Sequence, residues 1–111
     1  MKKDINIYLD DIIDSIDKIE EYLKGLTYES FENEYHWQDA VMRRLEIIGE
    51  AASKLPQEYI DVHQNVEWKK MKGVRNIIIH AYSSVDLKQV WEIVTVDLPL
   101  TKIQIEKLLI S

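Results

Sequence analysis

Residues 3–26, KDINIYLDDIIDSIDKIEEYLKGL, place Ile5, Leu9, Ile12, Ile16, Ile19, Leu23 and Leu26 at alternating steps of four and three. That is the helical period, and it gathers these apolar side chains into one seam along a rod. Asp4, Asp10, Asp11, Asp14, Asp17, Glu20 and Glu21 occupy the other faces. The simplest account of them is a solvated surface, with contact to a basic partner as the lesser alternative. Such a seam is buried only against a neighbour, so a helix over residues 3–24 predicts an antiparallel bundle. Gly25 sits where that helix should end, and Thr27, followed by Tyr28, Glu29 and Ser30, offers capping side chains for a short second helical turn.

The same period continues outward. A long helix over residues 34–55 has Trp37, Val41, Leu45, Ile48, Ala52 and Leu55 on one stripe, with Ala40, Ile47 and Ala51 beside it. Gly49, Ala51, Ala52 and Ser53 are small enough to let another helix approach closely. Pro56 opens a short connection through His63, since proline is tolerated in a first helical turn but not inside one. A third long helix over residues 67–82 turns Trp68, Met71, Val74, Ile78 and Ile79 inward. Asp86 is placed to cap a last helix that buries Leu87, Val90, Trp91 and Val94, and Pro99 should kink or split that helix near Asp97. Three glycines and two prolines in 111 residues leave little room for anything but helix. The predicted class is all-α: one domain over residues 1–111, an antiparallel bundle of four to five helices.

Composition narrows the function. A chain of 111 residues holds one core, which excludes a two-domain enzyme. Apolar runs stop at three residues, as at 77–79 and 108–110, far short of the roughly 20 that cross a bilayer. No secretory leader is indicated and cysteine is absent, so disulfides, thiolate nucleophiles and Cys-ligated zinc are excluded and a cytoplasmic setting is expected. The net charge of −6 argues against broad electrostatic capture of nucleic acid, so any such contact needs a local basic patch.

The third long helix supplies one. Lys69, Lys70, Lys72 and Arg75 put four cations within seven residues. Lys72, Asn76 and His80 lie four apart and share a face, and Arg75 and Tyr82 share a neighbouring one. Arg75 and His80 are five apart, about 140° around a helix axis, so one helix cannot easily aim both at one atom. Either the helix ends before His80, or a two-fold dimer brings Arg75 of one chain to His80 of the other. An arginine, an amide and a histidine without metal ligands suit cleavage of RNA by the ribose 2′-hydroxyl. His80 would move the proton, Arg75 would hold the phosphate, and Asn76 would donate a hydrogen bond or orient the imidazole. On spacing alone, a surface cation and a capping or core histidine account for the pair more simply.

The string Arg75-Asn76-Ile77-Ile78-Ile79-His80-Ala81-Tyr82 resembles the R-x-x-x-x-H-x-Y motif of the HepT-like toxins in the HEPN superfamily. Trp68 and the approach Met71-Lys72-Gly73-Val74 look like that family's lead-in. Residues 39–52, from Asp39 through Arg43, Arg44 and Gly49-Glu50 to Ala52, are similar to its second-helix signature. The resemblance covers nearly the whole chain. It implies a helical homodimer acting as a metal-independent ribonuclease on messenger or transfer RNA, without a cofactor, with Arg75 and His80 lining a cleft at the dimer interface. It also implies a small nucleotidyltransferase antitoxin of the MntA type that attaches AMP to Tyr82. Each AMP would add a phosphate charge beside Arg75 and block the pocket. By itself, Tyr82 reads equally well as a core tyrosine with its hydroxyl at the rim.

Other residues carry weaker expectations. Glu50, set among apolar neighbours, is expected to pair with a cation, Arg75 or an arginine of a partner chain, or else to face solvent. Arg43 and Arg44 could extend a phosphate track, but a surface ion network with Glu46 and Glu50 is the favoured account. His36 and His63 have no ligand-spaced partners, so no metal site is expected. Trp37, Trp68 and Trp91 read as core anchors rather than base-stacking platforms. A non-catalytic module that pairs with a nucleotidyltransferase and holds its nucleotide or substrate is the alternative to a nuclease. A purely structural dimer leaves the polar stripe unexplained.

Overall fold

The seam of residues 5–26 is buried as its spacing predicts: Leu9, Ile12, Ile16 and Ile19 are sealed from solvent, and Leu23 nearly so. The computed structural model describes the backbone of residues 2–81 and 86–110, and side chains over 5–78 and 86–109. The elements are α1 (Lys2–Leu23), α2 (Tyr28–Asn33), α3 (Tyr35–Ser53), α4 (Gln57–Val62), α5 (Trp68–Ala81), α6 (Leu87–Glu92), a π-helical turn (Ile93–Asp97) and α7 (Leu98–Ile110). No strand occurs among the described residues. No helix among them is long and apolar enough to cross a membrane.

α3 is the middle of the arrangement. One side of it lies along α1 and another along α5, while α7 packs on α1 and α6 on α5. The stripe expected on α3 explains this placement. Val41, Leu45, Ile48 and Ala52 are buried together with Leu55 just beyond the helix, and Trp68, Met71, Val74 and Ile78 of α5 meet them in one core. Of the three tryptophans, Trp68 is buried and donates its indole N–H to the His63 carbonyl at 2.8 Å. Trp37 and Trp91 are half-buried against Tyr22 and Phe31. All three are packing residues, as their spacing suggested.

The helix ends follow local chemistry. Gly25 turns the chain out of α1 at φ +80°, a conformation that side chains with a Cβ rarely adopt. Thr27 caps α2 by accepting the Ser30 N–H at 3.2 Å. Gln38, a buried amide of α3, donates to the Phe31 and Glu32 carbonyls at 3.0 and 2.9 Å and so closes the end of α2. Asp86 stands at the expected N-cap of α6, but among the described residues its carboxylate makes no capping bond; its carbonyl accepts from Val90 at 3.0 Å.

Pro99 neither splits nor ends the last helix. The chain stays helical from Leu87 to Ile110, and the irregularity expected near Asp97 takes the form of the wider turn Ile93–Asp97. Proline has no N–H to give and its ring crowds the carbonyl four residues back, here that of Thr95. A turn closed by five-residue bonds, such as Leu98 N–H to the Ile93 carbonyl, relieves that conflict without breaking the rod. α7 is also tied electrostatically to the acidic face of α1. Lys102 sits between Asp17 and Glu20, and its hydrogen bond to Asp17 holds its pKa above the ordinary lysine value. Asp10, Asp11, Asp14 and Glu21 on the same helix are exposed.

Candidate functional site

α5 presents the polar stripe of the chain. Arg75 and Asn76 are exposed and Lys72 is half-buried. Among the described residues none of the three makes a side-chain hydrogen bond or ion pair. Lys70, by contrast, bonds Glu67 at 2.8 Å, which raises its pKa. An arginine whose donors meet no carboxylate is free to receive an anion with its planar fork.

The stem of Arg75 is held even though its head is free. It crosses α3 at Gly49, where a Cβ built on the glycine would stand 2.9 Å from Arg75 Cγ, 3.5 Å from Cδ and 3.3 Å from the Met71 carbonyl oxygen. Only the absence of a side chain at Gly49 lets the guanidinium arm lie flat across α3 here. The small residues of α3 were expected to admit a close neighbour, and at Gly49 the neighbour is α5. Ser53 accompanies it, bonding back to the Gly49 carbonyl at 2.8 Å.

Glu50 does not pair with Arg75. Its carboxylate is exposed and lies 3.5 Å from Lys54, one turn along α3. The reason is angular: the residue after Gly49 is rotated about 100° around α3, away from the edge that meets α5. Arg43 pairs with Glu46 at 3.4 Å in an exposed i,i+3 contact, as favoured from the sequence, while Glu50, the network's other expected member, turns to Lys54. His36 lies 3.9 Å from Glu34, and His63 stacks on Tyr59 and bonds the Tyr59 carbonyl. Among the described residues no three His, Asp or Glu side chains gather as a metal site would require.

α5 continues through Ala81, so the helix does not end before position 80. One of the two ways of bringing Arg75 and His80 to one atom is thereby removed, because positions 75 and 80 stay about 140° apart around a single helix. The His80 side chain and all of Tyr82 lie outside the described residues.

The chain was compared with known proteins. A family model described as ribonuclease HepT-like matches residues 12–108. "Probable ribonuclease HepT" of Thermococcus cleftensis is 39% identical over 108 residues, covering 97% of this chain and 98% of that protein. A Methanocaldococcus jannaschii protein named as a gamma-glutamylcyclotransferase and candidate RNase is 44% identical over 109 residues, 98% of this chain and 49% of its own length. The chain thus spans about half of that relative. A second protein of the same archaeon, named as a candidate RNase, is 39% identical over 105 residues, 95% of this chain and 96% of that protein. No solved structure matches. With a match running through α1, α3, α5 and α7 and including the Arg75-to-Tyr82 string, the chain belongs to the ribonuclease HepT-like family.

Proposed function

We propose that this chain is an endoribonuclease that works as a homodimer and needs no metal ion. The observation that carries this reading is the unbroken helix through positions 75 and 80. With the two positions on different sides of one rod, a shared phosphate requires the second copy's α5 across a two-fold axis, and such an axis generates two equivalent sites. The names of the relatives support RNA as the substrate. In the reaction the ribose 2′-oxygen attacks the adjacent phosphorus, and the bond from phosphorus to the 5′-oxygen breaks. A 2′,3′-cyclic phosphate and a 5′-hydroxyl remain. The proton lost by the 2′-hydroxyl and the one gained by the 5′-oxygen pass through His80, whose ordinary pKa near 6.5 keeps both forms available around neutrality. Arg75 grips the phosphate and offsets the charge that builds on it, with Asn76 as a further donor. Messenger or transfer RNA is the proposed target.

The purified chain should cleave single-stranded RNA in the presence of EDTA and leave cyclic-phosphate ends. Intact RNA after prolonged incubation would defeat the nuclease assignment and favour a non-catalytic binding module.

The same reading makes the chain the toxin of a toxin–antitoxin pair. Its partner is a small MntA-type nucleotidyltransferase that adds AMP to Tyr82, two residues beyond His80. A nucleotide attached there brings negative charge to the phosphate pocket and competes for Arg75. Incubation with ATP and that enzyme should raise the intact mass by whole AMP units, and Tyr82→Phe should abolish the increase. A parent chain of unchanged mass removes the switch.

A further inference from the structure

α5 is flanked by two grooves of similar size and opposite charge. One, of about 520 Å³, lies toward α6, the π-helical turn and α7, and its charged lining is Glu67, Lys70, Glu92 and Asp97. The other, of about 480 Å³, lies toward α4 and the start of α5, and its charged lining is Glu67, Lys69, Lys70 and Lys72. Glu67 and Lys70 belong to both and are bonded to each other at 2.8 Å. Setting that pair aside leaves two carboxylates in the first groove and two ammonium groups in the second. Lys69 is exposed and Lys72 half-buried, and neither makes an ion pair among the described residues.

We propose that the groove between α4 and α5 is the track by which single-stranded RNA leaves the reaction site, with Lys69 and Lys72 contacting its backbone phosphates. The groove on the α6–α7 side repels it. This rests on the ribonuclease reading and adds to it the path of the substrate. Lys72 and Lys69 lie three and six residues before Arg75, about 4.5 and 9 Å along the helix axis. Both lie on the side of the helix that carries Asn76 and position 80, so they meet backbone phosphates that flank the one at the reaction site. Trp68 is buried at the back of the groove, so the track offers charge and no aromatic face for a base. It should follow the backbone without reading sequence.

The test is the salt dependence of binding to a single-stranded RNA bearing 2′-O-methyl groups, which cannot be cleaved. Each phosphate contact contributes about −0.7 to the slope of log affinity against log salt for a single strand. Lys69→Ala should flatten the parent's slope by about 0.7, and Lys69→Ala with Lys72→Ala by about 1.4. Lys18→Ala, which removes a lysine paired with Asp14 on α1, should leave the slope as it was. A parent that binds and cleaves RNA while the double variant keeps the parental slope overturns the track and leaves the nuclease reading standing. A parent that does not bind the RNA overturns both.

Discussion

Arg75→Ala should lower kcat/KM on RNA by about 10²- to 10³-fold, the usual loss when one preorganised donor to a developing oxyanion is removed. His80→Ala should cost about 10²- to 10⁴-fold, the typical contribution of a positioned general acid or base. Arg75 is exposed and its head is unpaired among the described residues, so its removal costs only the packing of its stem over Gly49, and the circular dichroism and thermal midpoint should stay near the parental values. The loss should fall mainly on kcat if Arg75 acts on the charge that builds in the transition state, and on KM if it only binds ground-state phosphate. Lysine is a poor substitute. It supplies a point charge where the arginine supplies a planar fork, so Arg75→Lys should recover only part of the activity. Activity at the parental level in both alanine variants would remove these residues from the chemistry.

Gly49→Ala should impair the enzyme without touching any polar group. The added methyl meets Arg75 Cγ at 2.9 Å and the Met71 carbonyl oxygen at 3.3 Å. Cγ is near the root of the arginine side chain, so the stem cannot swing clear without changing rotamer, and the carbonyl belongs to the backbone of α5. The arm lifts off α3 and the two helices separate by a few tenths of an ångström. Overpacking of this kind costs about 1–3 kcal/mol. A displacement of about 1 Å at a positioned catalytic group can cost up to about 10² in rate. The diagnostic comparison is made in the Arg75→Ala background, where the misplaced arm no longer exists. There only the Met71 carbonyl oxygen still meets the methyl, so Gly49→Ala should lower stability less than in the parent and leave the residual rate nearly unchanged. An equal further fall in rate would mean that Gly49 acts through general packing and not through Arg75.

Much of this architecture is legible in the residues. The four-and-three spacing of Leu9, Ile12, Ile16 and Ile19 specifies the buried face of α1 because a helix repeats every 3.6 residues, and the same holds for Val41, Leu45 and Ile48. Interactions that depend on how separate elements meet are not legible in this way. Gln38 closes the end of α2, seven residues from Phe31, and nothing in its neighbourhood distinguishes it from a surface amide. Lys102 bridges to Asp17 across 85 positions of sequence. Gly49 announces a close approach, yet its partner becomes known only when α5 is in place. Glu50, set among apolar neighbours, was expected to pair with Arg75 or a partner chain's arginine or else to face solvent, and it is exposed beside Lys54. The proline near the end of the chain marks where the last helix must deviate, but that the deviation is a widened turn keeping Val94 and Leu98 buried is seen only in the fold.

Catalysis by a site shared between two copies can be tested with the two inactive variants themselves. Arg75→Ala and His80→Ala chains, refolded together in equal amounts, form mixed dimers in half of the population, and each mixed dimer regains one intact pair of Arg75 and His80 and loses the other. About a quarter of the parental RNA cleavage should therefore return on mixing. A mixture as inactive as either variant alone would contradict a site assembled across the two-fold axis.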